Sequence, residues 1–216
     1  MVLGVFFALQ VSNWNDERQA RRSAFEILDR LQDEVVVNVS AATEANDKIA
    51  IGNDVRDRAR TALVNCEADD AAVSDINQAI GSMVSDIVPG FVESTANELA
   101  RSDQYFKFLT PEFRTAFNKY IARLADEKEQ LGVNFGLMWD NHVFRHEAVG
   151  FSFGDTAIEG NFTLAQPVEI LCRDADFQRR FGLSEIFHAT STLRLDRFVS
   201  ESETFLEVLA TERDRR

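Results

Sequence analysis

A chain of 216 residues, 45% hydrophobic and 27% charged, is long enough to bury a core and too apolar to stay disordered. Its formal net charge is −13, and between Asn65 and Tyr105 eight acids (Glu67, Asp69, Asp70, Asp75, Asp86, Glu93, Glu98, Asp103) meet one base, Arg101, a surface that repels phosphate, so nucleic-acid binding is not expected. The 18 Phe against two Tyr and two Trp suit cores filled with rings that need no hydrogen-bond partner, and only three Pro leave room for long helices.

The chain opens MVLGVFFALQVSNWNDERQARR. Val2 to Leu9 is apolar, and Gln10 interrupts the run before Val11. A helix that crosses a bilayer needs about 20 such residues, roughly twice this length. A secretory signal would want a basic stretch before the run and an A-x-A site after it, and neither is present. Residues 1–12 therefore read as the C-terminal half of a transmembrane helix, and residues 13–216 as a helical domain. Trp14 would sit at the membrane interface, with its ring in the apolar layer and its N–H in water. Asn13, Asn15, Asp16 and Glu17 would meet headgroups and water, followed by Arg18, Arg21 and Arg22. The competing reading is a short apolar helix end packed on the domain.

From this start a first long helix is expected to run to about Asn65. Phe25, Leu28, Leu31, Val35, Val39, Ala42 and Ile49 recur three and four apart, which makes one apolar face. Gly52-Asn53 is a point of possible breakage. At ~1.5 Å per residue, a helix of some fifty residues rooted in a membrane would act as a stalk of ~75 Å. Asp69-Asp70 opens a second helix to about Ile87, with its acids where the helix dipole favours them, and Pro89-Gly90 stops it. Ser94 to Arg101 is a short third helix. LTPEFR starts another, with Thr110 as N-cap and Pro111 in the first turn. Phe113, Phe117, Tyr120, Ile121, Leu124, Leu131, Phe135 and Met138 mark its face to about His146.

The stretch 148–172 lacks a helical period and reads as an irregular loop or a small hairpin around Glu159-Gly160-Asn161. Asp174 starts the final helices, lined by Leu195, Phe198, Val199, Phe205, Leu206 and Leu209. Each stripe is apolar on one side only and needs the others. The expected fold is all-α, an antiparallel bundle of about four main helices with a long N-terminal helix continuing from the membrane segment.

Two stretches resemble a bacterial family of unknown function. ALQVSNWNDERQARR resembles that family's membrane-exit motif, in which an N-terminal membrane helix ends in ALQ-x-x-NWN-x-E-R. STANELARSDQYFKFLTPEFRTAFNKY resembles its T-x-x-E-L…L-x-x-P-E-L-R-x-A-x-x-x-Y segment, with Phe113 where Leu is usual. CRDADFQRRF is a weaker echo of a D-x-x-F element before the last helix. The resemblance implies a helical protein of the bacterial inner membrane, single-pass, with a periplasmic domain. It brings no catalytic residues and no cofactor. The three arginines after Trp14 would by themselves favour the cytoplasmic side.

Few residues invite chemistry. Cys66 and Cys172 each fall at an expected helix boundary and could pair in an oxidising compartment, or stand as two small buried thiols. His142 and His146 are four apart, which on a helix puts both on one face, and such a pair can hold zinc. Glu147 follows the pair, whereas the metalloprotease pattern places its glutamate between the ligands. A third ligand would have to be His188 or a carboxylate. Gly132 and Gly136 form G-x-x-x-G and suggest a tight helix crossing, while Glu127 and Lys128 read as a solvated stretch. No nucleophile elbow, phosphate loop or dinucleotide fingerprint is present. The expected function is a membrane-anchored domain for sensing, scaffolding or protein interaction. Its partners would be lipid through the N-terminal segment and a protein or second copy. The alternative is a metal-dependent hydrolase centred on His142 and His146.

Overall fold

The computed structural model describes residues 2–83, 88–153 and 160–215, without the side chains of residues 2–9, 134, 135, 153 and 160. With 80% of the chain helical and one two-stranded sheet among the described residues, the protein is an all-α bundle. Three helices dominate: α1 (Val2–Ile51), α6 (Pro111–Asn141) and α8 (Ala175–Arg213). Shorter ones lie between them: α2 (Asn53–Asn65), α3 (Asp70–Ser82), α4 (Ser94–Ala100), α5 (Asp103–Phe106) and α7 (Val168–Leu171). The expected single helix to Asn65 is interrupted at Gly52, and one helix rather than several follows Asp174. Among the described residues no helix is long and apolar enough to cross a membrane.

The chain divides into two compact units, and α1, α6 and α8 contribute residues to both. Unit 1 comprises Met1–Ala41, Gly90–Asp126 and Phe198–Arg216. Its apolar stripes close on one another: Phe25, Leu28, Leu31 and Val35 of α1, Phe113, Phe117 and Tyr120 of α6, and Phe198, Phe205 and Leu209 of α8 are all buried. Rings carry much of this packing. The centroids of Tyr120 and Phe205 are 4.8 Å apart and those of Phe91 and Phe198 4.7 Å. Such pairs add about 0.5–1.5 kcal/mol to what their burial contributes.

Unit 1 also carries polar fasteners, some within that apolar face and some at its edge. The carboxylate of Glu34, 6% exposed, accepts from Thr95 N (2.6 Å) and Ala96 N (3.0 Å), and so satisfies two of the free amides at the start of α4. Asn38 is fully buried; its Nδ2 donates to Val92 O (2.7 Å) and to the Tyr120 hydroxyl (2.9 Å), and its Oδ1 accepts from Val92 N (2.7 Å). Thr110 caps α6, its Oγ1 accepting from Phe113 N at 3.2 Å, and Glu212 of α8 accepts from Thr110 N at 3.2 Å. Arg30 and Glu98 form a two-pronged ion pair at 2.9 Å.

Unit 2 comprises Ala42–Pro89 and Glu127–Arg197. Its core joins Ala59, Ala62 and Leu63 of α2 to Ile76, Ala79 and Ile80 of α3, with Phe177 and Phe181 of α8. Asp69 caps α3 through Ala72 N at 2.8 Å, and Asp174 caps α8 through Asp176 N (2.9 Å) and Phe177 N (3.1 Å). The 148–172 stretch holds an antiparallel hairpin, β1 (Val149–Phe153) against β2 (Gly160–Leu164). Gly160 and Asn161 pair with Phe153 and Ser152 inside the ladder, so the expected turn centre is displaced, and Glu159 lies outside the described residues.

Four further expectations need amendment. α3 ends at Ser82, and Ile87, its expected end, lies outside the described residues, as does the Phe135 side chain. α6 ends at Asn141 rather than His146. Glu127 is fully buried instead of solvated, because Arg194 of α8 donates to it at 3.2 Å. Gly132 and Gly136 mark no tight crossing among the described residues: a Cβ built at either meets none of them within 4 Å.

Candidate functional site

Unit 2 gathers all three histidines of the chain. The α6 helix stops one residue before His142, and a 3-10 turn, Val143–Arg145, separates it from His146. The two rings therefore do not share a helical face, which removes the geometric basis of the i, i+4 metal pair. Nδ1 of His142 accepts from Phe144 N at 3.1 Å and caps the 3-10 turn. Nδ1 of His146 accepts from Ala148 N at 3.2 Å. The same device is thus used twice, an imidazole taking the amide two residues ahead.

The far sides of the rings differ. Nε2 of His146 faces Asp174 Oδ2 at 3.4 Å. Nε2 of His142 lies 2.9 Å from the carbonyl oxygen of Met83, and Nε2 of His188, on α8, lies 3.2 Å from the same oxygen. A carbonyl only accepts, so both Nε2 atoms carry a proton. In His142 both nitrogens are then occupied by backbone groups. In His188, 2% exposed, Nδ1 is buried without a hydrogen-bond partner. Burial drives the pKa of His142 down against the pull of the Met83 carbonyl. Burial, helped by the charge of Arg56, pushes His188 down to about 4.

Arg56 of α2 is the buried cation of this region, 4% exposed. Its Nη2 donates to Ile49 O (2.7 Å) and Asn53 Oδ1 (2.5 Å), and its Nη1 to Ser82 Oγ (3.2 Å). Burial lowers its pKa, while burial raises that of Glu185, which faces Arg60 at 3.9 Å. Sequence reasoning missed Arg56, since arginine is seldom buried and no local pattern marks the exception.

Cys66 and Cys172 are joined by a disulfide that closes 106 residues of sequence. Cys66 is the left-handed residue that ends α2 (φ 54°), and Cys172 follows α7. Between α2 and α3 an open groove of about 350 Å³ is lined by Ala62, Ala72 and the acids Asp57, Glu67, Asp69 and Asp75. Arg58 reaches Asp75 through two bonds of 2.9 Å. Among the described residues no three His, Cys, Asp or Glu side chains come together to hold a metal ion.

Trp14, the expected interfacial residue, is on α1 in unit 1 with 62% of its surface exposed. The guanidinium of Arg18 lies 5.6 Å from its ring centroid, and Val11 nearby is 64% exposed. The polar side chains of unit 2 thus cap turns and clamp helix ends. No family model, curated protein or solved structure matches the chain.

Proposed function

We propose that this chain is the water-exposed helical domain of a single-pass membrane protein of the bacterial inner membrane. It is tethered through its N-terminal segment and serves sensing, scaffolding or protein interaction on the periplasmic side. The observation that carries the reading is Trp14. A 62% exposed Trp, one turn after exposed Val11 and just past the apolar run Val2–Leu9, has no counterpart in a core. A ring that is apolar on its faces and polar at its N–H, with an arginine stacked beside it, is at home at the lipid–water boundary. The disulfide supports an oxidising compartment, because such bonds are rare where thiols are kept reduced.

A full span requires about 20 apolar residues, so the reading calls for further apolar residues ahead of Met1. The test compares this chain with a form extended by the in-frame codons upstream, both expressed in the native host and separated into membrane and soluble fractions. The extended form is expected in the membrane, resistant to carbonate extraction, with the domain open to protease added to spheroplasts. Recovery of the extended form in the soluble fraction sinks the tether; protection from external protease reverses its orientation. The hydrolase alternative rests on His142 and His146, and nothing in their geometry favours it, since both direct Nδ1 to backbone amides.

A further inference from the structure

Three segments distant in sequence meet at one atom. The Met83 carbonyl, at the end of α3, receives His142 from the end of α6 and His188 from α8. Protonating His142 adds an N–H to Nδ1, where the Phe144 N–H already points, so the cap of the 3-10 turn is lost. Protonating His188 creates a buried N–H with no acceptor.

The surrounding charges do not relieve this. Arg56 of α2 opposes a second positive charge at His188, and so does His142 itself. Glu185, three residues before His188 on α8, faces Arg60 and has Asp57 as a like-charged neighbour. Ser82 of α3 is uncharged and bound to Arg56. In the 3-10 turn, Arg145 faces Asp140 at 3.4 Å, and His146 beyond it faces Asp174 and Asp176. Among the described residues no carboxylate lies within ion-pairing distance of His142 or His188.

We propose that His142, His188 and the Met83 carbonyl form a clasp that mild acid releases: it holds the end of α3 to α8 and to the 3-10 turn at neutral pH, and proton uptake by the two rings frees residues 142–148. The sign follows from the direction of the shifts. Both rings bind protons more weakly in the fold than in the open chain. The clasp is therefore intact above about pH 6.5, the ordinary histidine value, and is lost as pH falls from there towards the His188 value of about 4. Unit 1 has no histidine, so the opening is confined to unit 2. This inference stands apart from the membrane reading, since it concerns unit 2 alone, and the N-terminal segment belongs to unit 1.

Trp139 supplies the reporter. Its ring meets Phe144 edge-on at 5.1 Å, and Phe144 lies 4.4 Å from the His142 ring. In the full chain carrying Trp14→Phe, Trp139 is the sole tryptophan. Titration from pH 7.5 to 3.5 is expected to change its emission with a midpoint between pH 4 and 6.5. Protection factors at 143–148, the intrinsic exchange rate at each pH divided by the observed one, should fall about tenfold or more while those of residues 113–124 are kept. Adding His142→Asn, which keeps an acceptor for Phe144 N, and His188→Gln should abolish the midpoint. The same midpoint in that variant, no change in the parent above pH 4, or simultaneous loss of protection at 113–124 overturns the clasp. If the double substitution does not fold, NMR titration of the parent's histidines decides: His188 titrating near pH 6.5 with Trp139 signals unchanged also overturns it.

Discussion

Gly52 shows how much one missing methyl can matter. Its φ of −87° is open to any residue, so the demand for glycine is one of space. A Cβ there would stand 2.3 Å from Arg56 Nη1 and 2.8 Å from Ser82 Cβ. Arg56 cannot swing aside without surrendering its bonds to Ile49 O, Asn53 and Ser82. Gly52→Ala should therefore destabilise by about 1–3 kcal/mol, read as a lower urea midpoint at unchanged slope. At this scale legibility depends on distance along the chain. Thr110 could be read as a cap because the amide it binds lies three residues ahead, and Asp69 could be read as the start of a helix, though not as its cap. Glu34 and Asn38 could not, because Ala96 and Val92 lie 62 and 54 residues away. Tyr120 is a similar case: it was legible as a core ring, but the burial that lifts its phenol to about 12 and the Asn38 bond to its hydroxyl were not.

Among the elements, α6 carries the clearest mismatch between motif and use. In lipid, glycines four apart let two helices approach closely. Here the neighbouring Val133 and Leu137 are half exposed, and none of the described residues approaches Gly132 or Gly136 within 4 Å of an added Cβ. Each glycine then only loosens the helix. Gly132→Ala and Gly136→Ala should each raise stability by about 0.5–1 kcal/mol, seen as a higher melting temperature; a loss from either would mean a contact on that face. The end of α6 is instructive for the same reason. The apolar stripe through Met138 was readable, yet the helix stops at Asn141, because His142 turns its ring back to cap the next turn. The hairpin was readable as a change of period, but its register was not, since β2 is placed partly by Asn77 of α3, whose Oδ1 accepts from Leu164 N at 2.9 Å.

For the molecule as a whole, the disulfide is the longest-range covalent constraint among the described residues. Closing a loop of 106 residues removes enough freedom from the unfolded chain to be worth about 4–5 kcal/mol in the entropy model. Replacing Cys66 and Cys172 by Ser should lower unfolding free energy by up to about that amount, with dithiothreitol giving a matching shift in the parent and none in the variant. Equal denaturation curves for parent and variant would show that the unfolded chain is already restricted there.

By itself the sequence determined the all-α class, the three dominant apolar stripes, the cap at Thr110 and the helix starts at Asp69-Asp70 and Asp174. These depend on periodicity and on hydrogen bonds within one turn, which are local properties of a chain. Only the tertiary structure decided that Glu34, Asn38, Arg56 and Glu127 are buried and that three remote segments meet at the Met83 carbonyl. A buried polar group is tolerated only where its partner arrives, and the partner's arrival is set by how whole helices pack.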